Sequence, residues 1–120
     1  ERTVVAPSLG ADRYLQAARL AGAVIGNSSS GVIEAPMVRT PSVDIGERQA
    51  GRLNPAGVIH AAFETDAIRA AIRQALDPSM RRTLADTPPP FGDGQAARRI
   101  VEVLERTDLT GLARKPFVDR

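Results

Sequence analysis

The feature that most constrains this chain is a short strand signal that breaks into a run of small polar residues. Ala23, Val24 and Ile25 are continuously apolar and lead straight into Gly26-Asn27-Ser28-Ser29-Ser30-Gly31. A strand open to water on one face alternates polar and apolar residues. This one does not, so it is expected to be covered on both faces, as strands of a parallel sheet are. The next stretch, from Ser29 or Ser30 toward Glu34, suits a short helix whose length Pro36 limits. A strand, a glycine-bounded serine turn and a helix start together suit an anion. Exposed backbone N–H groups, hydroxyl donors and the positive helix end all point the same way.

Strands and helices alternate along the rest of the chain. Thr3–Ala6 reads as a short strand stopped by Pro7 and Gly10. Asp12–Ala21 reads as a helix with Tyr14, Ala17, Ala18 and Ala21 on its apolar side. Pro41 precedes a strand over Ser42–Ile45, and Val58–His60 is a further short strand. The clearest helix begins at Asp66 with Thr65 as its expected N-cap. Ile68, Ala71, Ile72, Ala75 and Leu76 form one stripe, and Asp77-Pro78 ends it. A short basic helix over Ser79–Ala85 and a stiff connection over Thr87–Gly92 follow. Asp93 is then placed to cap a terminal helix from Gly94 to Arg106, with Ala97, Ile100, Val101 and Leu104 facing inward. Residues 107–120 read as a polar, loosely held tail. This alternation predicts an α/β layer architecture around a mostly parallel sheet.

A chain of 120 residues is enough for one domain with a real core. With no tryptophan and 3% aromatics, that core is expected to consist of alanine, valine, isoleucine and leucine. Sixteen Lys+Arg against fourteen Asp+Glu give a formal charge of +2, too even a balance to predict a nucleic-acid partner. The absence of cysteine excludes disulfides and cysteine-ligated metals. The single histidine, His60, has no H-x-x-H or H-x-x-x-H partner, so neither a metal nor another cofactor is expected. No segment approaches the roughly 20 apolar residues that cross a bilayer, and a cytoplasmic protein is expected rather than a membrane one. The chain opens Glu1-Arg2-Thr3 without methionine and with a strand signal close to the terminus, so it reads as a piece of a longer protein.

Several motifs fail on the serine turn. A Walker A loop needs lysine where Val32 stands, and a G-x-S-x-G elbow fits neither Ser28 nor Ser29, although Asp44 and His60 follow in hydrolase-triad order. What remains is a static anion nest in which Ser28 and Ser29 donate and the backbone of Ser30 and Gly31 faces the oxygens. An ordinary helix cap explains the same residues. Glu34, one turn further on, suits the two hydroxyls of a ribose, or else a solvated helix face. Arg48, Gln49 and Arg52, after the next strand, bring cationic and amide donors toward the same ligand, while each alone also reads as an ordinary surface residue. Together they predict a surface for a phosphate ester, best of all a nucleotide. His60 reads as a strand-end structural residue and Asp93 as a helix cap.

The spaced blocks Gly26–Gly31, Ile33-Glu34-Ala35-Pro36, Pro41, Ile45-Gly46, Arg48-Gln49-x-Gly51-Arg52 and Phe91-Gly92-Asp93-Gly94 strongly resemble the UDP-N-acetylglucosamine 2-epimerase family. The likeness runs over roughly residues 4–106. Asn27 and a single Glu34 resemble its hydrolysing branch more than the purely epimerising relatives. The resemblance implies an incomplete Rossmann-like three-layer domain, similar to the C-terminal half of a B-type glycosyltransferase fold. It also implies a UDP-N-acetylglucosamine or related UDP-sugar ligand, a missing N-terminal domain and a homo-oligomeric parent. Ser28 and Ser29 then look like diphosphate ligands and Glu34 like the ribose carboxylate. Ser30 and Gly31 belong to the same turn, and Arg48, Gln49 and Arg52 to the nucleotide-side loop. Catalytic acids and bases are expected outside this chain, so the isolated chain is expected to be inactive as part of an enzyme that yields UDP and N-acetylmannosamine. The alternatives are a non-catalytic nucleotide-sugar binding module and an epimerase acting without hydrolysis or on a related UDP-sugar. Two departures stand out. Arg39 replaces a turn glycine, implying a modified turn, and Asp44 replaces a common asparagine, adding an anion near the expected phosphate site.

Overall fold

Three short parallel strands organise the first part of the chain. The computed structural model describes residues 2–111 and 114. Strands β1 (Val24–Gly26), β2 (Ser42–Ile45) and β3 (Val58–Ala61) form one sheet in the order β1-β2-β3. Their register places Gly26 beside Asp44 and Asp44 beside His60. Helix α1 (Gly10–Leu20) precedes the sheet. A 3-10 turn at Ser29–Gly31 and helix α2 (Glu34–Met37) link β1 to β2, and helices α3 (Thr65–Ala75), α4 (Pro78–Asp86) and α5 (Ala96–Arg106) follow β3.

Alternation along the strands divides the sheet into two faces. On one, Val43 and Ala61 pack against Ala71 and Ala75 of α3, joined by Ile45, Ile59, Ile68 and Ile72. The small side chains allow the helix to lie close to the sheet. On the other face, the Ser42 hydroxyl donates to the Gly31 carbonyl at 2.5 Å. Just before β2, buried Thr40 donates to the Ala18 carbonyl at 2.8 Å and ties α1 to this layer. The result is a three-layer α/β arrangement, consistent with a Rossmann-like fold. No helix among the described residues is long and apolar enough to cross a membrane.

Several local expectations are corrected. Thr3–Ala6 is not a strand, and Val4 and Val5 are exposed. Strand propensity holds nothing without a partner ladder, and these residues have none among the described residues. The stretch from Ser29 to Glu34 is not one helix but a 3-10 turn and a separate α2, interrupted at Val32 and Ile33. Pro36 is accommodated inside α2 because an N–H in the first helical turn needs no intrahelical partner. Glu64, not Thr65, occupies the N-cap position of α3, without a side-chain cap bond. Asp77 caps α4 instead, accepting from the Ser79 N–H at 2.8 Å, with Pro78 in the first turn. Arg39 adopts φ 59°, the left-handed conformation that a glycine supplies without strain.

The chain forms two compact units, Glu1–Pro90 and Phe91–Arg120, parted at the end of the proline run. In the second unit α5 starts at Ala96, after the expected Gly94. Asp93 lies outside the helix, accepting from the Gln95 N–H at 3.1 Å and pairing with Arg99 at 2.5 Å. The expected inward stripe is not inward: α5 buries no residue, and Ile100, Val101 and Leu104 are exposed. Periodicity shows which side of a helix is apolar, not whether anything covers it. Most of the expected tail over 107–120 lies outside the described residues.

Candidate functional site

The serine turn sits at the carboxyl end of β1. Gly26 leaves the strand at φ 153°, a conformation costly for residues with a Cβ. Ser28 then takes an extended conformation, and its hydroxyl accepts from the Ser30 N–H at 3.4 Å and from the Ser30 hydroxyl at 3.3 Å. The Gly31 N–H bonds to the Ser28 carbonyl at 3.0 Å. Tyr14, reaching from α1, donates to the Ser30 hydroxyl at 2.8 Å. The backbone donors of Ser30 and Gly31 are therefore engaged within the turn. Among the described residues no protein partner takes the N–H groups of Ser28 and Ser29 or the Ser29 hydroxyl. A cavity of about 310 Å³ opens here, lined by Tyr14, Val24, Ile25, Gly26, Ser28 and Ser30, together with Gly31.

The second polar block meets the first at one atom. Gln49 is 3% exposed and donates from Nε2 to the Asn27 carbonyl at 2.8 Å. The Arg48 guanidinium donates to the same carbonyl at 3.3 Å. Gly46, at φ 79°, starts the loop that turns these residues back, and bonds from Ala50 to Glu47 and from Arg52 to Gln49 hold its shape. The structure thus unites Asn27–Gly31 with Arg48 and Gln49. It does not bring in Arg52, which is exposed and makes no side-chain hydrogen bond or ion pair among the described residues. Glu34, half-buried in the first turn of α2, keeps a buried Oε2 without a partner, and the buried Oε1 of Gln49 is likewise unpartnered. Two acceptors are therefore withdrawn from water and unfilled, a state that ordinarily calls for a donor from a ligand or water.

Two features escaped the sequence reading. Tyr14 was legible only as part of an apolar helix face, yet its hydroxyl braces the serine turn. The side chains of Asp44 and His60 form a pair at 2.9 Å that depends on strand register. Their order along the chain was visible, but their adjacency was not. Among the described residues no cluster of three or more His, Asp or Glu side chains is arranged to hold a metal.

Fold and site together define a three-layer α/β domain whose free polar groups gather at the carboxyl ends of parallel strands, where open sheets of this kind take ligands. Residues 1–105 match the family described as UDP-N-acetylglucosamine 2-epimerase, and the chain belongs to that family. It is 33% identical over 121 residues to a UDP-N-acetylglucosamine 2-epimerase of Neisseria meningitidis, covering 99% of this chain and 32% of that protein. It is 48% identical over 52 residues to a GDP/UDP-N,N'-diacetylbacillosamine 2-epimerase (hydrolyzing) of Campylobacter jejuni, covering 43% of this chain and 14% of the relative. It is also 31% identical over 98 residues to polysialic acid biosynthesis protein P7 of Escherichia coli, covering 82% and 25%. The chain therefore spans about a third or less of the length of these relatives.

Proposed function

We propose that this chain is the nucleotide-binding portion of the C-terminal domain of a hydrolysing UDP-N-acetylglucosamine 2-epimerase. The observation that carries this reading is the convergence of Gln49 and Arg48 on the Asn27 carbonyl, which makes one structural unit of two separated polar blocks. In this role the free donors of Ser28 and Ser29 hold the diphosphate, while Ser30 and Gly31 keep the turn in shape. Glu34 accepts from the ribose hydroxyls through its unfilled oxygen. Gln49 fixes the turn, and Arg48 supplies positive charge on the nucleotide side.

The reaction proceeds by elimination and hydration. A base removes the C2 proton, the C1–oxygen bond breaks with its electron pair leaving on UDP, and a 2-acetamidoglucal remains. Water then adds its hydroxyl at C1 and a proton at C2, giving N-acetylmannosamine. Donors on the diphosphate favour the bond-breaking step by receiving the charge that develops on UDP. The acids and bases acting on the sugar belong to an N-terminal domain and to preceding segments. The complete enzyme is a cytoplasmic homo-oligomer arranged like a B-type glycosyltransferase, with this chain at the rear of its second domain.

A second reading keeps the chemistry and changes the sugar. Similarity to a relative described as acting on diacetylbacillosamine supports a diacetamido sugar. Incubating the intact protein with each UDP-sugar and resolving the products tests both readings. Free UDP with N-acetylmannosamine supports the first, and free UDP released only from the diacetamido substrate supports the second. An epimerised UDP-sugar without hydrolysis, or binding without product, overturns the hydrolysing assignment.

A further inference from the structure

The register of the sheet places a polar row across its three strands: Gly26 on β1, Asp44 on β2 and His60 on β3. Gly26 is where β1 opens into the serine turn. With parallel strands about 4.8 Å apart, His60 begins roughly 10 Å from that point along the carboxyl-end rim. By alternation Asp44 lies on the same sheet face as Ser42, whose hydroxyl holds the Gly31 carbonyl of the turn. The Asp44–His60 pair and the serine turn therefore share one face and one end of the sheet.

The pair is built asymmetrically. The Asp44 side chain is 1% exposed, and its Oδ2 lies 2.9 Å from Nδ1 of His60, whose side chain is 46% exposed. The second carboxylate oxygen is buried without a partner. Nδ1 is thus committed to Asp44, and Nε2 is the ring nitrogen left for anything outside. No serine hydroxyl contacts the ring: those of Ser28 and Ser30 bond to each other and to Tyr14. The arrangement is not a nucleophile triad. We propose that His60, oriented by Asp44, is a further contact for the phosphate-bearing part of the ligand, extending the anion site from the serine turn across the rim to β3. This rests on the nucleotide reading given above.

Proton balance makes the proposal specific. With Asp44 ionised and Nδ1–H donating to it, a neutral ring presents a lone pair at Nε2, which repels a phosphate oxygen. Uptake of one proton from water turns Nε2 into a donor and the ring into a cation. That cation serves the phosphate on one side and, on the other, a buried carboxylate with a single hydrogen bond. Phosphate binding and proton uptake at His60 are therefore coupled. The other ionisable groups on the surrounding elements are Asp12, Arg13, Tyr14 and Arg19 on α1, Glu34 on α2, Arg39 before β2, Glu47, Arg48 and Arg52 in the loop after β2, Glu64 after β3, and Asp66, Arg69 and Arg73 on α3, which packs on the opposite face of the sheet. Among the described residues only Asp44 forms an ion pair with His60.

Nitrogen NMR of the imidazole in the full protein at pH 8 tests this, with UDP as probe and the His60 signals assigned by their loss in His60→Gln. Saturating UDP is expected to convert Nε2 from a lone-pair to a protonated nitrogen. His60→Gln is expected to weaken UDP roughly tenfold, the size of one charge-assisted hydrogen bond. Asp44→Asn keeps an acceptor for Nδ1–H but removes the charge, and is expected to abolish the proton uptake. UDP binding with an unchanged Nε2, or proton uptake undiminished in Asp44→Asn, overturns the proposal while leaving the nucleotide site standing. If His60→Gln fails to fold, His60→Asn supplies the assignment, and the ligand-induced change in the wild-type ring signals then decides. Failure of the wild-type protein to bind UDP sinks the nucleotide reading and this contact with it.

Discussion

Gln49→Leu separates the role of Gln49 as a strut from any part in general stability. Gln49 is nearly sealed from water, so leucine fills much the same space and leaves little cavity. The loss is one neutral hydrogen bond to the Asn27 carbonyl, worth about 1 kcal/mol. The gain is removal of the buried, unpartnered Oε1, whose desolvation costs about 1 kcal/mol or more. The Asn27 carbonyl keeps Arg48 at 3.3 Å, and Asn27 itself is exposed to water. Global stability should therefore move by less than about 1 kcal/mol in either direction. Ligand affinity should respond differently. Without the tie, the residues of the serine turn must be ordered when the ligand arrives. Fixing one backbone residue costs about 1–2 kcal/mol, so UDP affinity is expected to fall about tenfold. Gln49→Glu points the other way for stability, because it buries a carboxylate against a carbonyl and should cost about 3 kcal/mol or more. Urea denaturation and calorimetric titration with UDP on the intact protein read the two quantities separately. Unchanged UDP affinity in Gln49→Leu would refute the coupling of the two polar blocks. A loss of more than about 3 kcal/mol in stability would refute the energetic bookkeeping instead.

Other substitutions probe single features. Ser28→Ala should weaken UDP by several-fold, while Glu34→Gln should mainly erase the preference for UDP over 2′-deoxy-UDP; an undiminished preference in Glu34→Gln rejects the ribose role. Gly57→Ala should destabilise by about 3 kcal/mol, since φ is 88° and a Cβ would lie 2.7 Å from a methyl of buried Leu84; a melting temperature equal to wild type would show that this turn relaxes freely. Arg39→Gly should stabilise by about 0.5–1 kcal/mol by removing left-handed strain, partly offset by the greater freedom of an unfolded glycine. Asp93 is held below the usual aspartate range, first by the hydrogen bond from Arg99 and then by the Gln95 N–H. Its contribution is therefore complete above its unfolded pKa of about 3.9 and lost as pH falls through the lower folded value. An Asp93 carboxyl titrating at the ordinary value by carbon NMR would exclude these two bonds.

How much of this fold was legible depends on how local its cause is. Ser42–Ile45 was read to the residue because Pro41 marks its start and Gly46 its end, and both signals act within one or two residues. The α3 stripe from Ile68 to Ala75 was legible for the same reason, since a 3.6 period over eleven residues is an internal property of the segment; Leu76, read with it, lies past the helix end and is exposed. Thr3–Ala6 and the apolar side of α5 carried equally good local signals and came out exposed. Strand ladders and buried helix faces need a second surface, and nothing in four or eleven residues states whether that surface exists. The Thr65 cap failed on a finer scale, since Glu64 takes the cap position with no side-chain bond and hydroxyl composition alone does not set the helix start.

The candidate site divides along the same line. Residue types suited to phosphate could be recognised in Ser28, Ser29, Arg48 and Gln49 one at a time, because donor chemistry is a property of the side chain. That two of them close on the Asn27 carbonyl could not be recognised, because the contact spans more than twenty positions and depends on how β1 and β2 pair. The same pairing changes the meaning of individual residues. Gln49, read as a donor toward a ligand, spends its N–H on the protein. Ser30, read as a backbone donor, has its N–H taken by Ser28 and its hydroxyl braced by Tyr14. Asp44, read as an unwelcome charge beside phosphate, is buried against an imidazole that can turn that charge into support for an anion. A site made of weak single-residue signals therefore gains its specificity from register: a change that shifts β2 by one residue would move Asp44 to the α3 face and dissolve the polar row, even with every site residue still present.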